Sequence, residues 1–161
     1  IGGALGMGSV VYGLATVATL LGDDEILGDA CAAAALITDD VIAADSRLDL
    51  LGGSAGAILA LLRLYRQTGA AEVLRVAEKC GSHLLAQKRV GEPGARMWAA
   101  EYFDHPLNGM AYGAAGFAYS LAALSFATGQ PDFDAAADEC LVFEGSTLDA
   151  SGRDWVDLRH Q

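Results

Sequence analysis

Apolar and polar positions fall in blocks along this chain rather than in strict alternation. Three stretches, Ala4–Gly22, Leu51–Gly69 and Met110–Gly129, run nearly free of charge from a glycine-rich start to a closing glycine. The segment after the middle stretch, Ala70–Lys88, has the spacing of an amphipathic helix: Val73, Leu74, Val76, Ala77, Cys80, Leu84 and Leu85 share one face. Glu72, Arg75, Glu78, Lys79 and Lys88 look outward. Aligning the three stretches puts Gly6, Gly53 and Gly113 in one column, Ser9, Gly56 and Gly116 in a second, and Gly22, Gly69 and Gly129 in a third. The offsets are 47 and 60 residues, so the unit is fixed while its connections vary.

The pattern predicts three helical hairpins, about 8–37, 54–88 and 114–143, followed by a tail over 144–161. Each would pair an inner helix that is apolar nearly all round with a wetter outer one. Such pairs bury their faces only by stacking on the next pair, so the expected fold is all-α, a two-layered α/α solenoid or toroid. Asp23 and Asp24 suit the start of the first outer helix, where free N–H groups lie. Thr38–Leu50 reads as a connection. Arg89–Asn108 reads as a long one, with Pro93, Gly94, Trp98, Tyr102, Phe103 and Pro106, and a loop of that length is functional or packed by its own side chains.

Composition narrows the function classes. The 161 residues are 53% apolar and 19% charged, with a net charge of −11. That balance argues against nucleic acid, which needs clustered Lys and Arg, and against an anionic membrane surface. Ile1–Gly22 and Pro106–Pro131 are uncharged enough to suggest membrane spans. The equivalent middle stretch, however, carries Arg63 and Arg66, which are costly in hydrocarbon. Cys31, Cys80 and Cys140 are odd in number and lack CxxC spacing, which reads as reduced thiols in a cytoplasmic protein. A start at Ile1 without a basic leader reads as part of something longer rather than as a signal peptide.

Candidate chemistry is sparse. Gly52–Gly56 matches GxSxG around Ser54, and Asp149, Asp154 and Asp157 precede His160 in the chain order of a hydrolase triad. A nucleophile elbow needs a strand entering a helix within a parallel sheet, and the sequence shows no such alternation. No glycine stretch has phosphate-loop spacing. His83, His105 and His160 are isolated, with no metal-ligand pairing; His105 stands beside Asp104, which would raise its pKa. Asp49 sits just before the glycine turn of the second unit. There it reads as a helix cap or, at the mouth of a toroid, as an acid or base.

Four stretches, GMGSVVYGLATVATLLGD at Gly6–Asp23, LDLLGGSAGAILALLRLYRQTG at Leu48–Gly69, PLNGMAYGAAGFAYSLAAL at Pro106–Leu124 and DWVDLR at Asp154–Arg159, occur in order over nearly the whole chain. Together they resemble the LanC-like cyclase domain, specifically that of class II lanthipeptide synthetases, the LanM proteins. The resemblance implies an α/α toroid of seven hairpins, of which about three are present in an incomplete ring. It implies addition of peptide cysteine thiols to dehydroalanine or dehydrobutyrine, giving lanthionine or methyllanthionine rings. It also implies a central zinc that lowers the thiol pKa, a dehydrated precursor peptide as partner, and an upstream dehydratase domain.

Carried over position by position, Asp49 matches the family's active-site Asp. Tyr112 stands at the His of its H-G-x-A-G motif. A tyrosine with its unperturbed pKa of about 10 is a proton donor and a poor base. The family's zinc ligands lie beyond the W-x-D-L-R region, and the three cysteines here do not match them. The resemblance thus places 1–161 in the N-terminal half of the domain, without zinc ligands of its own. Two rival readings are a non-catalytic helical scaffold that binds peptide and an α/α-toroid enzyme acting on carbohydrate; the bare inner helices lack the carboxylates of the latter.

Overall fold

The computed structural model describes residues 1–90, 96–99 and 105–160. Pro93, Gly94, Tyr102, Phe103 and Asp104 lie outside the described residues, as does the side chain of His160. Seven α-helices form among those described: α1 (Met7–Leu21), α2 (Asp24–Ala35), α3 (Asp39–Ala43), α4 (Ser54–Thr68), α5 (Ala71–Gln87), α6 (Ala114–Thr128) and α7 (Pro131–Ser146). A small antiparallel hairpin, β1 (Arg89–Val90) with β2 (Arg96–Met97), pairs Arg89 with Met97 and Val90 with Arg96.

Glycine brackets all three inner helices. Gly6, Gly53 and Gly113 occupy the N-cap positions, without a side-chain cap of their own. Gly22, Gly69 and Gly129 close them in the left-handed conformation at φ 65°, 63° and 72°, a region open to glycine at no steric cost. Their N–H groups turn back to the carbonyls of Ala18, Tyr65 and Ser125. Asp23 caps α2, its Oδ1 accepting from the N–H groups of Glu25 and Ile26 at 2.9 and 3.2 Å. The segment Thr38–Leu50, expected as a plain connection, contains the short helix α3, started by Thr38.

The hairpins α1–α2, α4–α5 and α6–α7 stack in series. α1 packs on α4 and α4 on α6 to form an inner layer, with α2, α5 and α7 outside, which is the arrangement of an α/α toroid. Lying between two inner helices and its own partner, α4 is buried on nearly every side through Ala55, Ala57, Ile58, Leu61, Leu62 and Leu64. Its Arg63 does not face lipid or core. The guanidinium lies 5.2 Å over the Tyr12 ring, with Nε donating to Thr16 Oγ1 at 3.1 Å, so the charge sits along the α1–α4 seam. At the ends of the series apolar side chains face outward, Val17 and Leu20 on α1, Tyr119 and Phe126 on α6.

Part of the long connection is packed by its own aromatic residue. Trp98 is buried, stacks on Phe117 with centroids 4.5 Å apart, and donates Nε1–H to Leu84 O at 2.8 Å. Cys80 and Cys140 occupy equivalent buried positions on the outer helices. No described helix is long and apolar enough to cross a membrane.

Candidate functional site at the inner-helix entry loops

The three loops that enter α1, α4 and α6 share one hydrogen-bond plan. In each, the N–H of the second alignment column is shared between two carbonyls: Ser9 with Gly2 and Gly6, Gly56 with Asp49 and Gly53, Gly116 with Gly109 and Gly113. The loops also stack. Gly2 N–H donates to Gly52 O at 3.0 Å and Gly3 N–H to Leu50 O at 3.2 Å, while a Cβ on Gly116 would lie 3.4 Å from Leu50 Cβ. A Cβ on Gly56 would overlap Leu50 O and Gly3 N, so glycine there permits two backbones to touch. The entry ends of the three inner helices therefore converge at one end of the layer.

Asp49 and Tyr112 lie in adjacent entry loops, in very different surroundings. Asp49 is 3% exposed, and its Oδ1 accepts from Gly52 N–H at 2.7 Å. Burial raises its carboxyl above the ordinary range, and the N–H groups of Gly52 and Leu51 partly oppose that rise. Asp49 is not the N-cap of α4, since Gly53 holds that position; its carboxylate folds into its own turn. Tyr112 is 40% exposed and lines a cavity of about 380 Å³. That cavity is walled by the loop from Leu107 to Tyr112 and by Trp155, Val156, Asp157 and Arg159 of the tail.

The tail is bolted to the third loop. Asn108 Nδ2 donates to Thr147 Oγ1 at 3.1 Å and to Val156 O at 2.8 Å. Both oxygens of Glu144 accept from Gly109 N–H, at 3.0 and 3.1 Å, and Trp155 Nε1 donates to Glu144 O. Arg159 and Asp157 pair at 2.7 Å.

Sequence reasoning missed two of these residues. Asp45, in the connection after α3, caps α4 from nine residues away. Its Oδ2 accepts from Ser54 N–H at 2.7 Å and Ser54 Oγ–H at 2.6 Å. His83 donates from Nε2 to the Asp45 carbonyl at 2.9 Å, tying α5 to the same point. Glu144 reaches Gly109 from 35 residues away. Neither spacing matches a local capping rule, so no sequence signal marks them.

These contacts also dispose of the hydrolase reading. Ser54 is fully buried and gives its hydroxyl hydrogen to Asp45; the nearby His83 meets a backbone carbonyl instead of the serine. The segment ahead of it is a turn, and no strand leads into α4. Asp149 is closed into its own turn, where the Ser151 hydroxyl chiefly lowers its pKa. His105 donates to Leu158 O at 3.0 Å.

The donor set for a zinc ion is not met among the described residues. Among the described residues no group of three His, Cys, Asp or Glu side chains could hold a metal. Cys80 and Cys140 lie on different outer helices, and burial pushes both thiols up to about 12.

No curated protein and no solved structure matches the chain. The family model described as lanthionine synthetase C-like protein matches residues 1–161, the whole span over which the glycine-bracketed hairpins and their converging entry loops run. By that match the chain belongs to the lanthionine synthetase C-like family.

Proposed function

We propose that this chain is part of the cyclase domain of a class II lanthipeptide synthetase, in its N-terminal half. Its reaction is the closure of thioether rings in a peptide already dehydrated by an upstream domain. The observation that carries this reading is the convergence of the entry loops, with a buried Asp49 in the second and Tyr112 on the cavity wall of the third. The chemistry is an addition. The peptide thiol gives up its proton, sulfur bonds to the β-carbon of dehydroalanine or dehydrobutyrine, and the double-bond pair moves to form an enolate. A proton then returns to the α-carbon, so atoms balance without a redox partner.

Asp49 is the proposed proton carrier, its carboxyl raised above the ordinary range by burial. Tyr112, half in solvent at the cavity, is the proposed donor at the position where the family motif has His. The zinc that the family resemblance implies has no set of three ligands among the described residues.

The test is thiol alkylation of a dehydrated precursor after incubation with the full-length protein. Ring closure consumes free thiols, and Asp49→Asn is expected to slow their loss by about 10²-fold or more. Free thiols that persist with the wild-type protein, or an unaltered rate for Asp49→Asn, would overturn the proposal. Persistence with retained peptide binding would instead support the second reading, a non-catalytic scaffold. The engagement of Asp49 by its own loop and the Tyr112 replacement favour that reading.

A further inference from the structure

The three entry loops differ in what meets one pair of N–H groups. In the first loop the pair belongs to Ala4 and Leu5, and both donate to a single oxygen, Leu51 O, at 3.1 and 2.9 Å. In the second loop the equivalent pair is Leu51 and Gly52, and it faces the Asp49 carboxylate, with Gly52 at 2.7 Å. In the third loop the pair is Ala111 and Tyr112. Position 49 is there Gly109, which has no carboxylate, and among the described residues no acceptor meets either N–H. Both residues line the 380 Å³ cavity.

We infer that the Ala111 and Tyr112 N–H groups form an oxygen-binding site that takes a carbonyl oxygen of the peptide substrate at the reacting residue. The two sister loops show what this pair meets when filled: Leu51 O in the first loop and, in the second, the Asp49 carboxyl, which Gly52 N–H reaches at 2.7 Å. The third pair differs in opening onto a cavity with Tyr112 and Trp155 in its walls. Such a site is of the size that encloses a side chain and its flanking amides. Fixed backbone donors aimed at a carbonyl stabilise it most when it becomes an enolate oxygen, the charge that thiol addition creates. Glu144, by holding Gly109 N–H through both oxygens, fixes the loop that carries the pair. This inference deepens the cyclase reading and rests on it for the identity of the oxygen, though not for the existence of the site.

The experiment titrates acetate, a one-carboxylate probe, into the full-length protein with ¹⁵N-labelled tyrosine and alanine. The amides of residues 111 and 112 are expected to shift downfield together and to saturate. Gly109→Asp sets a carboxylate next to the pair, on a backbone conformation unlike that of Asp49, and should weaken that response. Because Gly109 has φ 87°, a semisynthetic chain with an ester in place of the Tyr112 amide serves as a second variant that removes only the donor. It should weaken acetate binding and lower the ring-closure rate by about 10²-fold. Amides that acetate leaves unmoved, including amides already bonded to another segment of the full-length chain, would overturn the inference. Saturable acetate binding without any ring closure would leave the site standing and remove the cyclase reading.

Discussion

Removing the Asp45 carboxylate tests the stability of the central helix most directly. α4 supports both α1 and α6, and its first turn has one side-chain acceptor, Asp45 Oδ2, for the Ser54 N–H at 2.7 Å and the Ser54 hydroxyl at 2.6 Å. Ser54 has no solvent exposure, so water cannot replace a lost acceptor without opening the structure. Hydrogen bonds to a charged group contribute about 1.5–3 kcal/mol each, and loss of an N-cap costs about 0.5–2 kcal/mol. Because the two bonds share an oxygen and one cap, Asp45→Ala should cost about 3 kcal/mol. Ser54→Ala removes the hydroxyl bond alone and should cost about 1.5 kcal/mol. The double variant should then cost about 3 kcal/mol, not the sum, leaving a coupling of about 1.5 kcal/mol. Urea unfolding followed by circular dichroism reads this as a midpoint lowered by about 1.5 M for Asp45→Ala at a typical slope. An Asp45→Ala protein within about 0.5 kcal/mol of wild type, or full additivity in the double variant, would refute the capping argument.

Three further outcomes follow from the packing and charges. Gly56→Ala should destabilise by about 2 kcal/mol or more, because its Cβ would meet backbone atoms of Leu50 and Gly3, whereas Gly13→Ala, with open space around it, should stabilise by about 0.5–1 kcal/mol; equal melting temperatures would contradict both. At pH 8, a disulfide reagent should modify the half-buried Cys31 first, while Cys80 and Cys140, buried and raised to about 12, react only on unfolding; three equal rates would be inconsistent with this burial. The raised Asp49 carboxyl means the unfolded chain loses that proton first as pH climbs from 3.8. The group's contribution to stability therefore falls across the window up to its folded-state pKa. The stability of Asp49→Asn relative to wild type should accordingly rise with pH through that window in paired urea titrations, and a difference that fell would reverse the assignment.

The hydrophobic pattern and the glycine columns were enough to read the architecture. Gly22, Gly69 and Gly129 mark helix ends because left-handed backbone costs glycine nothing, and this cost is local to the residue. The uncharged run Ser54–Leu62 marks a buried helix because apolar periodicity is likewise a local property. The same locality hid α3, whose five residues carry too few apolar positions to show a period. It also hid the caps and bolts. Asp45 acts on Ser54 across nine residues and Glu144 on Gly109 across 35, through contacts that exist only once the hairpins have stacked.

Sequence alone also put Asp49 and Tyr112 in register with repeating loops, and from that register came the expectation of a site at one end of the inner layer. Only the tertiary structure decided what each loop's donors meet. The oxygen held by Ala4 and Leu5 comes from the neighbouring loop, that of Leu51 and Gly52 comes from Asp49, and Ala111 and Tyr112 open onto the cavity under the tail. Residue order sets the direction in which a backbone N–H can point, whereas the partner it finds depends on which distant segments the stacked layers bring within 3 Å.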